Sequence, residues 1–281
     1  MAIYFIPFST TPPAPNLYTD DVALEDLIKS QGVGVALTAL KKTEKINQGF
    51  GECHVRAHKV GIIAYELYGD NAFALCTEEC NGACYHGTIG QYAADHGIND
   101  FSKSKLGSFC LNSPSFDQCL HGLGHGLLAW TNYEVLEALK LCDMIPAETY
   151  KQNECWRGVF MENIVGENVA REGEAAKYLS EDPAFPCTIM PEKYKNACDQ
   201  FIVFRIGELY SKDFKKIAEV CMEKIPPQFF RGCFANLGTN ALRHYWPDVK
   251  KAKETCEYAP AVELRDLCLN KVEIDIKNRA N

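Results

Sequence analysis

Most of the signatures that would announce a common chemistry are missing from this sequence. It has no G-x4-G-K-[ST] phosphate loop, no G-x-G-x-x-G fingerprint and no G-x-S-x-G elbow. P-loop phosphate chemistry, dinucleotide binding and α/β-hydrolase catalysis therefore have no anchor. No run of 18 or more apolar residues exists, so nothing reads as a bilayer-spanning helix. Positive charge is in deficit, with 29 Lys and Arg against 37 Asp and Glu and a net charge of −8. That balance argues against nucleic acid and against an anionic membrane face, both of which call for a basic surface. Residues 1–9 are apolar but short and carry no basic flank, so they do not make a signal-peptide pattern.

Cysteine is not lacking. There are 14 in 281 residues, an even number spread along the chain, without the Cys-x2-Cys knuckles of a zinc ribbon. This usage fits disulfides in an oxidising, extracytoplasmic compartment, the cytosol of a hyperthermophile being the exception. The hydrophobic fraction of 47% is enough for a sizeable core.

Taken in order, residues 1–18 read as an extended N-terminal segment stiffened by the Pro-rich run 10–16. Residues 19–281 read as one helical repeat domain. Asp20 to Ser30 has acid early, lysine late and Leu24, Leu27 and Ile28 on one face, and a second helix is expected from Val33 to about Thr43. From Cys53 onward cysteines open apolar helical stretches at Cys53, Cys84, Cys119, Cys155, Cys198, Cys233 and Cys268, at intervals of 31, 35, 36, 43, 35 and 35. A period near 35 belongs to helix–turn–helix solenoids. The expected fold is an all-α, disulfide-stapled α/α solenoid.

Most of these cysteines follow another that closes the previous helix. The expected staples are Cys110 with Cys119, Cys142 with Cys155, Cys187 with Cys198, Cys221 with Cys233 and Cys256 with Cys268. Cys53, Cys76, Cys80 and Cys84 remain to pair among themselves. Cys84 with Cys76 or Cys80, and Cys53 with the other, is favoured.

The stretches from Glu219 to Gly238 and from Cys198 to Tyr210 resemble the disulfide-bridged Sel1-like repeats of cysteine-rich secreted bacterial proteins. There, one cysteine ends a helix and a Gly-Cys opens the next. The resemblance implies a curved, exported α/α architecture over residues 53–281. It implies no activity, because those repeats carry no histidine cluster.

The histidines are the functional clue. Five of seven follow closely on a cysteine: His54 and His58 after Cys53, His86 after Cys84, and His121 and His125 after Cys119. Residues four apart share a helix face, so each His-x3-His pair can aim two imidazoles at one point. Counted from its opening cysteine at about 100° per residue, the five fall at roughly 100°, 140°, 200°, 200° and 240°, on one face of three successive helices. Copper or zinc suits an all-imidazole set in an oxidising compartment, with iron also a candidate. Such a site would serve oxidation or hydrolysis of an unidentified substrate.

On the next helix Arg157 and Met161 continue that face, Arg157 as an anion clamp and Met161 as a soft ligand. Glu162 lies about 100° or more off it, and its expected part is second-layer support or general base. Gly87, Gly122 and Gly158 share one position and point to close helix contacts beside the histidines. His96 and His244 read as core histidines. The competing reading is a polar, hydrogen-bonded seam between helices, or a repeat protein that grips a peptide.

Overall fold

The computed structural model describes residues 16–46, 52–96, 106, 108–146, 149–165, 178–210 and 212–280. Within them every regular element is helical. The helices of six or more residues are α1 (Asp21–Gln31), α2 (Val33–Ile46), α3 (Glu52–Tyr68), α4 (Ala83–His96), α5 (Phe116–Trp130), α6 (Val135–Asp143), α7 (Thr149–Val165), α8 (Glu192–Asp199), α9 (Ile202–Leu209), α10 (Phe214–Glu223), α11 (Phe230–Tyr245), α12 (Val249–Glu254) and α13 (Val262–Ala280). One continuous buried core runs from Leu24 to Val272.

Local chemistry fixes several boundaries. The Asp20 carboxylate accepts the Ala23 N–H at the start of α1, and Asp213 and Asp248 do the same for α10 and α12. Each satisfies amides that have no partner within the helix. Gly32, at φ 93°, separates α1 from α2, a conformation that costs a side-chain-bearing residue energy.

Seven disulfides form: Cys53–Cys80, Cys76–Cys84, Cys110–Cys119, Cys142–Cys155, Cys187–Cys198, Cys221–Cys233 and Cys256–Cys268. The expected pairings hold, and the four ambiguous cysteines divide as Cys76–Cys84 and Cys53–Cys80. A link around so short a loop stabilises by roughly 2–3 kcal/mol in the chain-entropy view.

Glycines decide which helices press together. A Cβ built on Gly61 of α3 would stand 2.0 Å from the Cys84 carbonyl oxygen of α4, and one on Gly87 would stand 1.9 Å from the His58 carbonyl oxygen. The same reciprocal contact locks α5 to α7: Gly124 would meet the Cys155 oxygen at 2.1 Å and Gly158 the His121 oxygen at 2.0 Å. Gly122 behaves differently, lying against the side chains of Tyr85 and His86. The close contacts expected at Gly87, Gly122 and Gly158 are all present, but only the first and third seat on a carbonyl oxygen. The closest packing groups helices in pairs, an arrangement that a 35-residue count of single helices does not express.

Other expectations change. Cys198 sits near the end of α8, and the stretch from Cys198 to Tyr210 breaks at Gln200 and Phe201 before α9. Residues 1–15 of the N-terminal segment lie outside the described residues. Residues 16–19 form a turn, and Leu17 and Tyr18 pack on the core. His96 and His244 are exposed and not in the core. They rest on aromatic rings instead, His96 on Tyr92 and His244 near Phe214 and Tyr245.

Candidate metal centre

The glycine contacts bring the histidines together. Because Gly87 seats against the His58 carbonyl, the residue before it, His86, is held beside His58. Gly122 and Gly126 let α5 lie on Tyr85, His86 and Ile89 of α4, which carries His121 and His125 up to His86. The tight Gly158–His121 contact sets α7 beneath α5, so that Glu162, one turn beyond Gly158, reaches His125. All five predicted histidines meet in one cluster.

Two groups of three can be distinguished, His54–His58–His86 and His86–His121–His125, with candidate ligand atoms within 4.8 Å of one another in each. In the first, ring centroids lie 5.0, 5.2 and 5.1 Å apart, a near-equilateral triangle. Three imidazoles bound through nitrogen to one tetrahedral ion keep their centroids about 5 Å apart, given metal–nitrogen bonds of about 2.0 Å. The second group is less regular, at 5.6, 4.2 and 4.9 Å, with His86 stacked on His125. His58 Nε2 is 3.3 Å from His86 Nδ1, and His121 Nε2 is 3.2 Å from His125 Nε2. Two nitrogens on one tetrahedral ion sit about 3.3 Å apart by the same geometry.

The outer nitrogens are pinned. His54 Nδ1 lies 2.9 Å from the Cys80 carbonyl oxygen. A carbonyl only accepts, so Nδ1 carries the proton and Nε2 turns its lone pair inward. His125 Nδ1 donates to Glu162 Oε2 at 2.9 Å, both side chains fully buried. This is the carboxylate–imidazole arrangement that orients metal-binding histidines. Tyr133 in turn donates to Glu162 Oε1 at 3.4 Å. Both supports stand in left-handed backbone, Cys80 and Asn81 at φ 55° and Asn132 and Tyr133 at φ 55° and 61°. Such residues cost about 1–2 kcal/mol each.

Burial is graded across the cluster. His125 and His86 are 0% and 1% exposed, His54 and His121 are 7% and 8%, and His58 is partly exposed. Burial, and then the neighbouring imidazoles of His125, His58, His54 and His121, hold the His86 pKa well below the ordinary histidine value of 6.5. His86 is therefore neutral near pH 7, the form that binds a metal.

Glu162, expected off the histidine face as second-layer support or general base, holds His125 from behind. The side of α7 that meets α5 is set by Gly158, and Glu162 lies one turn along that contact. Arg157 is placed otherwise: its guanidinium is tied to Glu154 on the same helix at 2.7 and 2.9 Å. Met161 packs against the core from a half-buried position. Sequence reasoning missed Tyr133 and the Cys80 carbonyl. A backbone oxygen has no sequence signature, and Tyr133 is one tyrosine among 13.

No family model, curated protein or solved structure matches this chain. Among the described residues no helix is long and apolar enough to cross a membrane.

Proposed function

We propose that this chain is an extracytoplasmic transition-metal enzyme that oxidises or hydrolyses a substrate approaching past His58. One observation carries the reading: His54, His58 and His86 place three rings at nearly equal separations of 5.0–5.2 Å. Three imidazoles around a tetrahedral ion leave a fourth position for water or substrate. Copper and zinc suit such a set best, with iron the remaining candidate. Zinc would supply a bound hydroxide near neutral pH, and copper would supply oxygen chemistry. The partial exposure of His58 gives that position a route to solvent, while Glu162 holds His125 as a carboxylate holds a ligating imidazole. Seven disulfides favour the exported setting, and the Sel1-like reading of the scaffold is kept as part of this proposal. Arg157, bound to Glu154, is given no part.

A metal-free hydrogen-bonded seam is the second reading, favoured by nitrogen pairs at 3.2–3.3 Å that could also share a proton. Element analysis of protein purified without a histidine tag separates the two. The first reading expects stoichiometric copper, zinc or iron whose content falls in His54→Ala and His58→Ala while the helical circular dichroism stays. It also expects turnover of an activated ester by the zinc form, or oxygen uptake by the copper form with a reductant. Absence of metal, with variants that only lower Tm, supports the seam. Metal without either turnover leaves a storage or delivery protein.

A further inference from the structure

His86 is common to both histidine groups, and its two ring nitrogens face different partners. Nδ1 is 3.3 Å from His58 Nε2 and so belongs with α3. The opposite edge turns to α5: a Cβ on Gly122 would stand 3.1 Å from His86 Cδ2, the carbon bonded to Nε2. Nε2 itself is buried and has no hydrogen-bond partner in a residue 1% exposed. An unsatisfied buried ring nitrogen costs free energy unless something binds it, and α5 offers His121 and His125 on that side.

We infer that the centre holds two metal ions bridged by the His86 ring. One ion is bound by His54, His58 and His86 Nδ1, the other by His86 Nε2, His121 and His125. The inference rests on the metal-binding reading above and adds the number of ions and the link between them. Seating the second ion replaces the remaining N–H proton of His86, which leaves to solvent, so the bridging ring becomes an anion. That charge and the Glu162 carboxylate offset part of the charge of two dications. The inner ring pair must adjust, because His86 now stacks on His125 at 4.2 Å with 25° between planes. The two positions also differ in access: the outer one opens past His58, and the inner one is walled by buried histidines.

Copper(II) added stepwise to the metal-stripped full chain tests this by electron paramagnetic resonance. The expected result is two ions per chain, with the first equivalent giving a full signal and the second weakening it as the spins couple through the ring. A dilute chelator should remove one ion well before the other. The folded variant His58→Ala should bind a single copper with an ordinary uncoupled signal, its fold checked by circular dichroism. Saturation at one ion in the unaltered chain, or two ions with full uncoupled intensity, would overturn the bridge while leaving metal binding intact. No bound copper or zinc at all would overturn the metal reading as well.

Discussion

Two stretches of this molecule share a scaffold and differ in chemistry. Residues 116–165 fold as α5, α6 and α7, and residues 230–280 fold as α11, α12 and α13, with Phe116 and Phe230 opening the two sets. Cys119 and Cys233 hold the same place in their first helices, and Cys155 and Cys268 in their last. Gly124 seats over the Cys155 carbonyl as Gly238 seats over that of Cys268. Even the polar link is kept in form: the buried His125 to Glu162 at 2.9 Å in one, the partly buried Thr239 to Asp275 at 2.6 Å in the other. Yet Ala235 and Thr239 stand where the first set has His121 and His125. The glycine–carbonyl lock is thus a way of packing helices, independent of the histidines. The histidines add a site to one copy of it.

The largest effects should come from the lock. Gly124→Ala would drive a methyl to 2.1 Å from a backbone oxygen, and Gly238→Ala to 2.5 Å. Overpacking of this kind costs about 1–3 kcal/mol and sometimes more, so both should lower the urea midpoint, Gly124→Ala further. Metal should be lost with Gly124→Ala alone. Equal metal loss in both would break the separation of scaffold from site.

Next come the polar links. Glu162→Gln should weaken metal binding by about 10–100-fold, the usual cost of removing such a support. Asp275→Asn should leave metal affinity unchanged, as read by competition with a chromophoric chelator. If the two variants behave alike, Glu162 is a packing residue.

A smaller effect is expected where α8 meets α11. Burial raises the Asp199 pKa to about 7, and Gly232 lies directly against its carboxyl group. The folded state holds this proton more tightly than the unfolded chain, so stability is lost as pH rises from about 4 through about 7. Asp199→Asn should remove that loss and stabilise the protein by on the order of 1 kcal/mol above pH 7, checked by denaturant unfolding at pH 5 and pH 8.

His86 gives the opposite sign. Its folded pKa is depressed, so its stability is present above the unfolded value of about 6.5 and declines as pH falls below it toward the folded value. Metal-free protein should show a Tm that drops by a few degrees from pH 7 to pH 5, a dependence that His86→Gln flattens.

Much of this was legible in the sequence because disulfides and His-x3-His pairs are written in spacing. A cysteine closing one helix and another opening the next can hardly pair elsewhere, and the five histidines sit at the same phase of their helices. The pairing of helices was not legible. It depends on which glycine meets a neighbouring backbone, and Gly122 looks like Gly87 in sequence while touching side chains in space. Glu162 was legible as support off the histidine face, but not which histidine it would hold: a helical wheel gives angles about one axis and says nothing of how the next helix is turned against it. The left-handed turn at Asn132–Tyr133, which aims the support of Glu162, carries no glycine to mark it, whereas the one that aims the support of His54 runs from Cys80 and Asn81 into Gly82.

The convergence of imidazoles on an ion is tested most directly by X-ray absorption on the zinc-loaded full chain. The expected spectrum has nitrogen or oxygen neighbours at about 2.0 Å with the outer scattering of at least three imidazoles, reduced in His58→Ala and His125→Ala. A sulfur shell, or zinc that washes out on gel filtration, would contradict it.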